Sequence, residues 1–519
     1  MILKNNLVGL DVDKRAAQLA SFSLIMKART MNSRFFNDNY YVKPSVYEIW
    51  DARELLQNNY EQQLVDLKIL SNEEIKEIKW LVETFRYGKT IGSLLKVCKK
   101  DFSVIERAIQ TIKTKAVRNI FNSNLLNDGV RCLEYLLAQA KVMSDKYDVM
   151  ITNPPYIGIS SMEKAVKDYA SAEYPDSKTD MFAMFMETPY VKKNGFRAMI
   201  NMHSWMFLSS YEKLRKKIIM NEMIVNMVHL GAHAFEMIGG EVVQTTTFVL
   251  RNSPIATNGV YFRLVDEKDK EAAFLAGGGI IMNLSVYETI PTNLFAYWLS
   301  GNTIKNFVRG KCLSEYADAR NGFTTGNNDL FLRIWSEIEN ENICFNATDM
   351  IFALYTGKKW FPYNKGGEFH KWYGNQDYVI NWMSDGKEIK KYGHLVPRSL
   401  TYMFFESISW SKISSGSISF RYYPKGFMFD VAGLSLFVKE EYKQFEKYIM
   451  GFLNSNVSQH YLRAMSPTLN YETGQISNLP IVLDDSNSVK EIVVENIEIC
   501  KEEWDSFEES WNFKKHPLI

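Results

Sequence analysis

The chain has 519 residues, 46% hydrophobic and 23% charged, a globular balance that predicts two or three domains and excludes a disordered or fibrous protein. Its 61 basic and 60 acidic residues leave a net charge of +1, so no global attraction to nucleic acid is expected and any such surface must be local. No apolar run approaches the roughly 18 to 20 residues that span a bilayer, and the start (Met1 to Asn6) lacks the regions of a signal peptide. The isolated cysteines (Cys98, Cys132, Cys312, Cys344, Cys500) fit a reducing cytoplasm without a disulfide framework or a zinc site.

In chain order, Leu7 to Asp13 reads as a short apolar strand ending in acid, followed by a helix over Arg15 to Arg29. A second strand, Ser45 to Trp50, also ends in acid, at Asp51. Residues 53–140 read as a helical insertion, with capping boxes at Ser71/Glu74 and Ser103/Glu106. The strand Tyr147 to Thr152 delivers Asn153-Pro154-Pro155-Tyr156. A polar loop then leads to a helix opening near Asp180, which Gly195 can end. Strand Phe196 to Met202, a helix around Tyr211 to Met220, and strands Ile224 to Leu230 and Val242 to Leu250 follow, the last two forming an antiparallel edge. This alternation predicts a doubly wound α/β sheet over residues 1–255. Gly277-Gly278-Gly279 and Pro291 mark a linker over 256–310, and short aromatic-rich strands with glycine turns predict an α+β domain over 311–519. The basic clusters Lys96/Lys99/Lys100, Arg215/Lys216/Lys217, Lys358/Lys359 and Lys387/Lys390/Lys391 read more readily as solvated faces than as phosphate tracks.

Two prolines cannot continue a strand, so the chain leaves the sheet at Pro154-Pro155, on the carboxyl edge where open α/β sheets bind ligands. The amine of a nucleobase is a poor nucleophile because its lone pair is delocalised into the ring. Two acceptors aimed at its hydrogens, the Asn153 side-chain oxygen and the Pro154 carbonyl, favour a pyramidal nitrogen that can attack. Tyr156 offers a ring for a flipped base, worth roughly 1–3 kcal/mol. Transfer of a sulfonium methyl requires no metal, and proximity with preorganised dipoles carries the rate. Asp11, with Asp13 as the alternative, is the candidate acceptor for the ribose hydroxyls of an adenosine, and Asp51 for its adenine amine. Either is equally a helix cap when taken alone.

The run Gly9 to Ala20, the stretch Ile151 to Gly158, His203 to Leu208, Gly322 to Asn328, Lys359 to Gly367, Trp372 to Asn375 and Ser466 to Asn470 resemble the PglX family. These are adenine-specific DNA methyltransferases of BREX phage-defence systems, related to restriction-modification enzymes. The resemblance implies S-adenosylmethionine as methyl donor, no metal, and double-stranded DNA as substrate. It places acidic motifs on Asp11, with Val12 beside it, and on Asp51, and the catalytic motif on Asn153 to Tyr156. Phe185 falls where the family lines the cofactor pocket, and Phe235 where a second ring stacks on the flipped adenine. It implies a Rossmann-like methyltransferase sheet with a target-recognition domain over 311–519, where Lys359 and Lys365 are candidate phosphate contacts.

One departure stands out. The family's first strand and its Gly-rich loop, which wrap the methionine end of the cofactor, have no counterpart before Gly9. The chain therefore reads as an N-terminally truncated sheet, the C-terminal portion of such an enzyme, incomplete alone and served by an upstream chain carrying the Gly-rich motif and by other defence-system proteins. The alternative is a catalytically silent DNA-recognition module or recombination cassette. A third reading, methylation of protein glutamine or RNA, is disfavoured by the large C-terminal domain, and no nuclease motif is visible.

Overall fold

The computed structural model describes residues 2–37, 41–66, 68–116, 123–235, 243–255, 257–414, 416–465, 470–485, 487–516 and 518–519. Residues 466–469 of the Ser466 to Asn470 string, and the first residue of the strand expected from Val242, lie outside them. The chain divides into two compact units, Met1–Leu284 and Ser285–Ile519.

The first unit is mixed α/β. β1 (Val8–Asp11) and β2 (Ser45–Glu48) pair in parallel as a two-stranded sheet, bringing Asp11 opposite Glu48. Between them runs the Lys14–Met31 helix, whose first turn is capped by Asp13: its carboxylate accepts the N–H groups of Arg15 and Ala16 at 2.7 and 2.9 Å. Just past the end of β2, Gln139 stands in for a strand neighbour to Trp50. Its side-chain oxygen accepts the Trp50 N–H and its amide donates to the Trp50 carbonyl, both at 2.9 Å.

The insertion is helical, and Ser71/Glu74 forms the expected reciprocal cap. Ser103/Glu106 does not. Ser103 is already the first residue of the Ser103–Ala116 helix, its N–H and hydroxyl both donate to Asp101 at 2.9 Å, and Glu106 pairs with Lys141 instead.

A six-stranded sheet holds β3 (Tyr147–Thr152), β4 (Val191–Met202), β5 (Met223–Gly231), β6 (Thr245–Arg251), β7 (Asn258–Arg263) and β8 (Ile280–Asn283) in the order β3-β4-β6-β5-β7-β8. β3/β4 and β5/β7 are parallel and the other pairs antiparallel. The antiparallel pair β5/β6 is therefore interior rather than an edge. Residues 258–283, expected as linker, instead supply β7, β8 and the short Lys270–Leu275 helix. The helix at Asp180 ends at Met186, well before Gly195, because Thr188 precedes Pro189 and is biased out of the helical region; Gly195 lies inside β4. The loop before it contains a further helix, Lys164–Glu173, whose Val166 and Ala170 are buried four residues apart.

The second unit is α+β. β9 (Lys311–Cys312) pairs with a late strand. Two four-stranded sheets are built from β10 (Ala317–Arg320), β11 (Leu332–Ile334), β12 (Trp360–Asn364), β13 (Tyr378–Asn381), β14 (Ser407–Ser411), β15 (Phe420–Tyr423), β16 (Met428–Phe429) and β17 (Gly433–Val438). Their orders are β10-β17-β14-β15 and β11-β13-β12-β16, and β18 (Pro480–Ile481) closes on β9. The aromatic richness is mostly core: Phe323, Phe361, Tyr363, Trp382 and Phe404 are buried together.

Candidate active site

Asn153 follows the last residue of β3, so the double proline turns outward at the carboxyl end of a strand paired in parallel with β4. Pro154 is buried, Tyr156 half-buried, and Asn153 and Pro155 exposed. The Tyr156 hydroxyl donates to the Ile200 carbonyl of β4 at 3.0 Å and lies 3.3 Å from Asn153 Oδ1. Its ring meets Phe182 edge-on, with centroids 6.0 Å apart. Burial pushes the phenol up to about 12, so it remains a donor at neutral pH.

The loop after the motif is pinned by one carboxylate. Asp180 accepts the Ile157 N–H at 3.1 Å and the Phe182 N–H at 3.3 Å, so the same side chain fixes the motif's exit and starts the Met181–Met186 helix. Two backbone bonds, Met181 N–H to Ile157 and Ile159 N–H to Thr179, complete the junction. Desolvation raises the Asp180 carboxyl above its usual range, opposed by those N–H donors. Asp180 and Phe182 open the helix in a recognisable way, but nothing local in the sequence signals their contact with a turn some 23 residues earlier.

Asp11 and Asp51 share the carboxyl end of the β1/β2 pair. Asp11 Oδ1 accepts the Asp13 N–H at 2.8 Å, and Asp13 itself is committed as a helix cap. Backbone N–H groups of Ala16 and Arg15 hold the Asp13 carboxyl below its usual value. Asp51 receives the Arg53 guanidinium through Nε and Nη2 at 3.0 and 2.8 Å. It borders a cavity of about 420 Å³ also lined by Trp50, Glu54, Asn58, Lys89 and Arg131. Val12 is largely exposed and Phe185 is buried in its helix. Phe235 is half-buried and borders residues 236–242, which are not described. The structure thus brings Asn153 and Tyr156 together, and separately Asp11 and Asp51 at the end of one strand pair; among the described residues no hydrogen bond joins the two sets.

A second polar cluster escaped the sequence reading. His203, just past β4, and His229 of β5 are buried and share a hydrogen bond between Nδ1 and Nε2 of 2.9 Å. Burial holds both imidazoles well below their usual value. Of the basic clusters, Lys96, Lys99 and Lys100 pair with Glu173, Asp145 and Glu77, Lys217 with Asp176 and Glu187, and Lys390 with Asp385, while Arg215 is buried. Lys359 and Lys365 rest near the rings of Trp360 and Tyr378, at 5.5 and 5.1 Å. Among the described residues no group of three His, Cys, Asp or Glu could hold a metal, and no helix is long and apolar enough to cross a membrane.

The turn thus presents an amide and a phenol at the carboxyl end of a strand with a parallel neighbour, and residues 5–235 match the family described as Eco57I restriction-modification methylase. Over its whole length the chain is a homologue of two adenine-specific methyltransferases. It is 38% identical over 547 residues to PglX of Lacticaseibacillus casei (strain Zhang) and 35% identical over 542 residues to BrxX of Escherichia coli O9:H4 (strain HS). All of this chain is covered in both comparisons but only 44% of each relative, so it spans less than half their length. Among solved structures, the Type IIL restriction-modification enzyme MmeI in complex with DNA aligns with 98% of this chain and 72% of its own, at 11% identity and a TM-score of 0.45.

Proposed function

We propose that this chain carries the catalytic motif and the DNA-recognition domain of a phage-defence methyltransferase that moves a methyl group from S-adenosylmethionine to the N6 amine of adenine in double-stranded DNA. The observation that carries the reading is the Asn153–Tyr156 turn anchored to β4, in a chain homologous throughout to PglX and BrxX. A flipped adenine would take Asn153 Oδ1 and the Pro154 carbonyl as acceptors for its two amine hydrogens. The Tyr156 hydroxyl, 3.3 Å from Asn153, gives up that contact and keeps Ile200. The ring then stays fixed as a stacking surface, with Phe235 as the second ring. Residues 311–519 select the sequence, with Lys359 and Lys365 as phosphate contacts.

The methyl donor fits the residues in part. Asp11 and Asp51 are acidic acceptors on the carboxyl ends of neighbouring parallel strands, suited to the ribose and the adenine of an adenosine, and Val12 and Phe185 would line its apolar side. S-adenosylmethionine would supply the activated methyl. No Gly-rich turn adjoins β1 or β3 among the described residues. Among the described residues β1 is paired only with β2, and β3 is the outer strand of its sheet. The apolar Val149 and Ile151 of β3 are 52% and 79% exposed, unusual for a strand with a parallel neighbour. A Rossmann-like sheet completed by a strand from outside this chain, one that also brings the Gly-rich turn, accounts for both. The same open edges suit the second reading, a catalytically silent recognition module, where no such strand is provided.

The test is methylation of adenine-containing duplexes by this chain combined with the part of the PglX relative that it does not match. Asn153→Ala removes one preorganised acceptor and should slow transfer by roughly 10²–10³. Normal methylation by that variant would refute the assignment.

A further inference from the structure

In the first unit Lys96, Lys99, Lys100 and Lys217 are paired with acids, whereas the second unit contains a basic recess with no such pairing among the described residues. The Asn456–Met465 helix carries Asn456, Gln459, His460 and Arg463 at spacings of three, four and seven, which puts them on one face. That face and the loop bearing Phe369 and Lys371 enclose about 300 Å³ with no acidic side chain on the walls. Among the described residues neither Lys371, His460 nor Arg463 has an ion-pair partner.

Buried hydrogen bonds hold the walls. Gln459 is buried and donates from Nε2 to the Ile418 carbonyl at 2.7 Å. The buried Asn454 side chain exchanges two bonds with the Phe420 backbone, at 3.0 and 2.9 Å. Lys371 Nζ donates to the Asn454 carbonyl at 3.2 Å, tying the loop to the end of the preceding helix. Phe369 stands at the rim, 55% exposed.

We propose that this recess receives a backbone phosphate of duplex DNA. Arg463 offers a guanidinium fork and Lys371 a second charge, while Asn456 and His460 add donors. The Phe369 ring packs on the adjoining sugar or base. Phosphate contacts set the position of a protein on DNA without reading sequence, so this site would hold the domain in place while other groups select the bases. The inference rests on the DNA-recognition reading above.

The experiment is fluorescence anisotropy of the full chain with labelled duplexes of two unrelated sequences, each titrated across a range of salt. Arg463→Ala should weaken binding about tenfold on both sequences, the scale of a lost charged hydrogen bond, and Lys371→Ala should do the same to a lesser degree. The double variant should lower the slope of log affinity against log salt by about one. Arg463→Lys should recover part of the loss, and unchanged thermal melts of these surface variants exclude misfolding. Calorimetry with inorganic phosphate at matched ionic strength provides the other arm. Tight phosphate binding that the variants lose, with DNA affinity unaltered, would make this a small-anion pocket and overturn the proposal. A native chain that binds duplex while the variants keep its affinity and slope also overturns the site alone. A native chain that binds no duplex overturns the DNA-recognition reading, and the site with it.

Discussion

Ile151→Asp should leave the chain's own stability almost unchanged yet abolish its assembly with a strand-supplying partner. Ile151 is 79% exposed on the free edge of β3 and Val149 is 52% exposed, so neither contributes much to the isolated fold. Burying an aliphatic side chain fully is worth about 1.5–3 kcal/mol. Val149 and Ile151 project from the same face, so a partner that pairs with β3 and also packs on that face should gain about 2 kcal/mol from Ile151 and about 1 kcal/mol from Val149, scaled by those exposures. Together this is about 3 kcal/mol, or roughly a hundredfold in affinity, and an aspartate enclosed at the same place adds a desolvation penalty. The measurement is calorimetric titration of the chain with the unmatched portion of the PglX relative, followed by titration with S-adenosylmethionine. The native pair should associate and bind the methyl donor, the chain alone should bind it weakly, and Ile151→Asp should do neither. Micromolar donor binding by the isolated, monodisperse chain would refute the reasoning, as would undiminished association of Ile151→Asp.

Gln139→Ala should destabilise the first unit by about 2–4 kcal/mol in urea denaturation, because it strands both the N–H and the carbonyl of Trp50 next to buried Ile49. Tyr156→Phe keeps the ring but removes the bond to Ile200, and should cost about 1 kcal/mol, near fivefold in methylation rate, against a much larger loss for Tyr156→Ala. The His203/His229 pair predicts acid sensitivity. Both pKa values are depressed in the folded chain, so their stability is full above about pH 6.5 and is lost as the pH falls, because the unfolded chain takes up protons first. His229→Gln should flatten the fall in urea midpoint between neutral and acidic pH; an unchanged profile would remove the pair from the account.

Elements whose signals are local were legible. The acid-tipped β1 and the helix after it follow from Asp13, whose side chain caps that helix whatever lies around it. β3 and the turn after it follow from an apolar run stopped by two prolines. What escaped the reading depends on partners distant in sequence. Gln139 holds Trp50 from 89 residues away, and Asp180 holds the exit of the turn after β3 from 23 residues away. Gly195 looked like a helix stop because glycine serves both at helix ends and inside strands, and only the Thr188-Pro189 pair separates the two uses. The antiparallel pair β5/β6 was visible, but its interior place depended on β7 and β8, whose glycine-flanked strands read as linker.

The same limit bears on β3. Its sequence, Tyr147-Asp148-Val149-Met150-Ile151-Thr152, is apolar on both faces at its centre, the pattern of a strand covered on both sides and paired on both edges. The structure gives it one neighbour, β4, and leaves Val149 and Ile151 in solvent. A strand that had always been an outer edge would carry a charge or proline at its centre to block association, and β3 has neither there; Asp148 and its partner Lys192 sit at the start. Composition and surroundings therefore disagree at this one strand. The disagreement falls next to Asn153, which the proposed function places at the site of methyl transfer. Under the proposed function, one added strand with a layer packed on the exposed face of β3 would meet both the open edge and the need for a Gly-rich turn.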